Sequence, residues 1–227
     1  MRSDELKIRM FAVPSALLVA LLIHSFSAGQ FLQRTFFSMW LHELGHAVAA
    51  WLTGRFAVPG PWFTPMADER SWVFAVLLSA GLAVAAWKIS RAFLVVLAVQ
   101  VVCTLLPPPA AEVFILFAGD GGAMVFGTAL MLAMFVPPES RLHRLRWGLL
   151  VIGSAAFVDV FSVWWGARSD IDLIPFGHNE GMGLSDPSRL TEDHGWAVRS
   201  LVNRYVFLGA ACLVVLTGVN VWDVRRR

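Results

Sequence analysis

Long apolar runs separated by short polar stretches set the rhythm of this chain. A membrane-crossing helix needs roughly 20 mostly apolar residues, with about 17 as a lower limit. Seven stretches approach that: residues 10–28, 36–52, 71–87, 92–106, 111–136, 145–165 and 201–222. The runs are continuous, without the alternation of a membrane β-barrel strand, and so predict helices. Only the polar stretch Lys88 to Arg91 separates the third run from the fourth, which predicts a tight helical hairpin. Pro107, Pro108 and Pro109 end that hairpin, because proline lacks the N–H and restricts the residue before it. The expected fold is all-α: a polytopic transmembrane helical bundle of six to seven spans.

Two polar segments interrupt the bundle. Residues 53–70 are rich in proline and aromatics, as suits a loop lying at the membrane interface. Residues 166–199 form the longest polar segment, in which Ser185 or Asp186 can cap a short helix with Pro187 at its first position. No internal repeat is visible and neither segment is large enough for a domain, so residues 1–227 read as a single membrane-embedded domain. The N-terminus has the charged start and apolar centre of a signal peptide. Asp4 and Glu5 dilute its positive charge and further spans follow, so it is read as a retained first span.

Composition places the chain outside the soluble class: 57% hydrophobic, 15% charged, mean hydropathy +0.66. A net charge of +2 with no basic block excludes nucleic acid as a partner and leaves the lipid bilayer. Cys103 and Cys212 lie far apart in apolar runs and form no C-x-x-C pair. Lys and Arg do not orient the chain: seven spans place nine on each side. Six spans would put both basic tails on one side, which suits the cytoplasm. Nothing in the pattern speaks to oligomeric state.

One apolar run contains His42-Glu43-Leu44-Gly45-His46. On a helix, positions i and i+4 share a face, so the two imidazoles can converge on one metal ion. Glu43 is rotated by about one hundred degrees from His42, beside the ion, where it can act as a base on a metal-activated water. Each ionisable group in the bilayer centre costs roughly 2.5 kcal/mol or more, and a divalent cation compensates three of them together. Zinc is the expected cofactor, His42 and His46 its ligands, and Glu43 the general base for peptide hydrolysis.

A catalytic zinc takes three protein ligands and keeps one open position. Asp120, in Gly119-Asp120-Gly121-Gly122, is the expected third ligand. Its glycine neighbours would permit close helix approach and an unwound backbone; the alternative is a turn between two half-helices. A divalent ion, two neutral imidazoles, one carboxylate and one hydroxide sum to zero charge, the least costly state in lipid. Glu112 and Asp159 are fallback ligands, read first as an interfacial carboxylate and an interhelical hydrogen-bonding group. His24 reads as a packing histidine; His178, Glu180 and His194 read as solvated.

These motifs resemble the site-2 protease family of intramembrane zinc metalloproteases. That family carries H-E-x-x-H on one transmembrane helix and an Asp-Gly ligand motif on a later one. The matching residues are His42, Glu43 and His46, then Asp120 and Gly121. The resemblance implies zinc on the histidines and Asp120, Glu43 as base, and cleavage of membrane-protein or peptide substrates within or beside the membrane. It also implies a compact, divergent bacterial member, multi-pass in the inner membrane. No regulatory domain fits the loops, so substrate choice would fall to the helices and the segments 53–70 and 166–199. The competing readings are a structural metal site, an ion transporter, and a zinc hydrolase of a lipid or small amide. Transporters commonly show paired repeats, absent here.

Overall fold

The structure, a computed structural model, describes residues 2–179 and 183–226. Helix α1 (Arg2–His24) leads through a short turn into α2 (Ser27–Gln33). Helical dihedrals continue from α2 through a π-helical turn, Arg34–Ser38, into α3 (Met39–Leu52). Helix α3 stops at Gly54, whose φ of +82° only glycine adopts freely. The Gly54 N–H bonds Trp51 O (3.0 Å) and the Arg55 N–H bonds Ala50 O (2.8 Å), the Schellman pattern that satisfies a helix's last carbonyls.

The expected hairpin is α4 (Trp72–Lys88) and α5 (Phe93–Thr104). The Ser79 hydroxyl donates to Gln100 Oε1 (2.7 Å), and Gln100 donates to Thr104 (2.9 Å). Thr104 in turn donates to Leu52 O (3.0 Å), tying the hairpin to the end of α3. Pro107 then caps α6 (Pro108–Leu132), with prolines in its first turn, where a missing N–H costs nothing.

Helix α6 runs unbroken through Gly119-Asp120-Gly121-Gly122. The unwound or half-helical backbone expected there does not occur, because an intact helix satisfies its own N–H and C=O groups where water is scarce. The glycines instead admit α3. A Cβ on Gly45 would lie 1.9 Å from Ala118 O, one on Gly122 2.5 Å from Gly45 Cα, and one on Gly119 2.6–2.8 Å from both histidine rings. Bare backbone on both helices lets their axes approach, as at small-residue helix crossings in membranes.

Helix α7 (Arg141–Gly166) returns along α6. A polar segment follows, with strands β1 (His178–Asn179) and β2 (Gly183–Leu184) paired antiparallel, then α8 (Asp186–Glu192). Ser185 caps α8 and Pro187 takes the second position, not the first. Helix α9 (Val198–Arg226) completes the bundle.

Among the described residues, four helices are long and apolar enough to cross a membrane: residues 5–24, 108–135, 141–166 and 198–226. The spans in α6 and α7 are each 56% buried, against 17% for α1 and 22% for α9, so α6 and α7 form the centre and the other two the wall. The larger of two core clusters runs from Val13 through Leu41, Met124 and Phe157 to Leu201 and Leu216 and includes Leu190 of α8; the smaller joins Ala47, Ala49, Ala50, Ala57 and Ile115.

Polar ties define the two ends. At one end Glu5 accepts from Arg146 (2.6 and 3.1 Å), while Arg9 donates to Asp223 (3.3 Å) and Val136 O (3.0 Å). The start of α1, the α6–α7 connection and the end of α9 therefore lie together. At the other end Arg70 donates to Thr53 O (2.9 Å) and Leu106 O (2.7 Å), and Arg189 of α8 pairs with Glu112 of α6. The segment 53–70 folds back on itself there through a bridge between Ala57 and Met66.

Candidate metal centre

Helix α3 presents His42 and His46 on one face, and each ring is anchored through Nδ1. His42 Nδ1 lies 2.8 Å from Asp120 Oδ1, and His46 Nδ1 lies 2.9 Å from Ile115 O. A carboxylate and a carbonyl can only accept, so both Nδ1 atoms carry the proton. Both Nε2 lone pairs are thereby left for a cation, as in the usual support of metal-ligating histidines. The two Nε2 atoms face each other at 3.1 Å.

Asp186 completes the cluster. Its Oδ2 lies 3.0 Å from His46 Nε2 and 3.3 Å from His42 Nε2. These three residues alone, among those described, bring metal-binding atoms together as a group of three or more. Tetrahedral zinc bonds of about 2.0–2.1 Å set ligand atoms roughly 3.3 Å apart, so the observed spacings fit a zinc-sized ion and the two-nitrogen, one-oxygen set suits that metal.

Asp120 is placed differently from the direct ligand expected. Its Oδ1 takes the His42 Nδ1–H and its Oδ2 accepts from Trp164 Nε1 (2.8 Å), so both oxygens are turned away from the Nε2 pair. Arg34 stands 3.8 Å from Asp120 and 3.6 Å from Asp159, offsetting two carboxylates in the bundle interior. Asp159 also accepts from Ser38, and its other oxygen lies 3.9 Å from His24, which bonds Gln33 (2.9 Å). Glu112 pairs with Arg189 and lies 3.9 Å from His194. Neither fallback carboxylate joins the cluster. Glu180 lies outside the described residues; exposed His178 lines the cavity below, and His194 is not exposed.

Glu43 is buried beside the cluster, and Thr64 of the folded-back segment donates to its Oε2 (2.7 Å). A cavity of about 790 Å³ opens next to these groups, lined by His42, Glu43, His46 and Asp186 and also by Trp62 and Arg55. Pockets of this size hold small ligands or a few residues of a peptide.

Sequence reasoning read Asp186 only as a helix cap. Its signal was present in Asp186-Pro187 opening a short helix, but 140 positions separate it from His46. Only the docking of α8 against α6 and α9 brings them together. The chain has no match among protein-family descriptions, curated proteins or solved structures.

Proposed function

We propose that this chain is a membrane-embedded zinc metallopeptidase of the site-2 protease type, hydrolysing peptide bonds within or beside a bacterial inner membrane. The observation that carries the reading is the fixed tautomer of both histidines: Asp120 and Ile115 O each hold an Nδ1–H, and both Nε2 lone pairs meet at Asp186. His42, His46 and Asp186 would hold the ion, with Asp120 orienting His42. When bound, zinc supplies a water acidified to a pKa of about 7 and a centre that polarises a carbonyl.

The chain's own residues do the rest. Thr64 fixes Glu43 through Oε2, so Oε1 is the atom that takes a proton and returns it to a leaving amine. Glu43 is held close to the ligands yet sits on a different part of the α3 face, as a base that does not itself ligate must. The cavity beside it gives an extended peptide room to lie against the site, and exposed Trp62 and Phe63 at its margin offer apolar contacts. The spans are read as six: the four long helices and the α4–α5 hairpin.

Purified wild-type protein should carry about one zinc per chain; His46→Ala should lose it and Glu43→Gln should keep it. Membrane-protein fragments in cells producing the wild type should be missing from cells producing Glu43→Gln. Fragments that persist with Glu43→Gln would refute the mechanism. Zinc retained with no difference in fragments would make the ion a structural staple.

A further inference from the structure

We infer that Arg55 determines specificity: the cavity takes polypeptides that carry a carboxylate, an acidic side chain or a free chain end, within about three residues of the scissile bond. On the function proposed above, the same site then selects its substrates by charge.

Among the described residues, three arginines line the cavity beside the metal centre: Arg34, Arg55 and Arg189. Two of them already have anionic partners. Arg34 stands 3.8 Å from Asp120 and 3.6 Å from Asp159, and Arg189 pairs with Glu112. The Arg55 guanidinium, by contrast, has no ion pair or hydrogen bond among the described residues, although Arg55 is half-buried. A guanidinium carries five N–H donors, and holding it partly out of water with none of them matched is costly until an anion arrives.

The backbone holds Arg55 over the cavity. Its N–H closes the turn onto Ala50 O, and just beyond it Trp51 Nε1 donates to Ala57 O (2.8 Å). The segment 53–70 then doubles back as a short ribbon. Val58 N–H bonds Pro65 O (3.0 Å) and Ala67 N–H bonds Phe56 O (2.8 Å), on either side of the Ala57–Met66 bridge. Side chains alternate between the two faces of such a ribbon. Phe56 and Val58 are exposed and Ala57 is buried, so Arg55, two positions from Ala57, belongs to the inner face. Thr64 and Met66 share that face from the other strand, Thr64 reaching Glu43 and Met66 lining the cavity. Arg55 is thus carried on the same ribbon face as the hydroxyl that holds the base. Asp68, across the ribbon from Arg55, is exposed and forms no ion pair with it.

Leu52, where α3 ends, lies about 9 Å beyond His46 along the helix axis, at 1.5 Å per residue. An extended peptide advances about 3.3 Å per residue, so a substrate with its carbonyl at the metal brings its second or third side chain to Arg55. Arginine meets a carboxylate through two parallel N–H bonds, which fixes orientation as well as attracting charge.

The test measures binding to the purified full chain by tripeptides that bear a zinc-binding hydroxamate at either end. Each is made with Gln throughout or with Glu at its second or third residue; those with the hydroxamate at the amino end are also made with a free C-terminal carboxylate. The wild type should bind a carboxylate probe about 10- to 100-fold more tightly than its uncharged counterpart. Arg55→Gln should bind the two alike, with an unchanged melting temperature. Whether the Glu or the free-terminus probe carries the preference tells side chain from chain end. Should Arg55→Gln fail to fold, Arg55→Lys, which keeps the charge without the fork, should show a reduced preference. Equal binding of every pair by the wild type, a preference that survives in Arg55→Gln or is undiminished in Arg55→Lys, or failure of all probes on a chain that holds zinc overturns the inference. So does a loss of stability in Arg55→Gln confined to phosphatidylglycerol vesicles with no carboxylate preference in the wild type, which would give the guanidinium to a lipid phosphate. Zinc content is measured first: a wild type without zinc removes the peptidase reading and this inference together, whereas zinc without a carboxylate preference removes this inference alone.

Discussion

Replacing Asp186 and Asp120 in turn separates the geometric ligand from the one that the sequence motif suggests. Asp186 Oδ2 lies 3.0 and 3.3 Å from the two Nε2 atoms, so Asp186→Ala removes one of three protein ligands. Structural zinc sites gain about 10–16 kcal/mol from four ligands, roughly 3 kcal/mol each, so losing one weakens zinc by about a hundredfold or more. Asp120→Asn keeps the shape but leaves one acceptor oxygen for two donors, His42 Nδ1–H and Trp164 Nε1–H. Losing a partner of this orienting kind costs about 10- to 100-fold in metal affinity. Asp120→Asn should therefore fall between wild type and Asp186→Ala when zinc is titrated against a fluorescent chelator in detergent. The reasoning is refuted if Asp120→Asn strips zinc while Asp186→Ala binds it as the wild type does; Asp120 would then be the ligand.

Thr64→Val removes the hydroxyl that donates to Glu43 Oε2. A buried hydrogen bond to a charged group contributes about 1.5–3 kcal/mol, so turnover should drop roughly 10- to 100-fold with zinc content unchanged; lost zinc would mean that Thr64 supports the fold instead of the base. Gly45→Ala drives a methyl into Ala118 O and should destabilise the α3–α6 pair by about 1–3 kcal/mol and weaken zinc. Gly81→Ala, with open space around it, is the control and should leave the melting temperature level or higher. The Arg189–Glu112 pair is more than a third exposed on both sides, so Glu112→Gln should change zinc affinity by less than about fivefold. A larger loss in that titration would show that the pair holds α8 over the site.

Helix content, the hairpin and the histidine pair were legible because each rests on near neighbours. A long apolar run must become a helix where backbone groups have no water to bond, and four residues along a helix place His42 and His46 on one face whatever surrounds them. The glycines near Asp120 were read correctly for close approach and wrongly for unwinding, since sequence alone does not say whether a neighbouring helix fills the space they leave. Asp186 could not be read as a metal-binding group, because its distance from His46 is set by the docking of Leu190 of α8 into the core. The same holds for the placement of the chain ends. The sequence supplies every charge, but only the contact of Arg9 with Asp223 decides that the first and last charged segments lie at one end. Periodicity thus fixed what forms within each helix, while packing between helices decided which carboxylate meets the histidines and which end of the bundle they occupy.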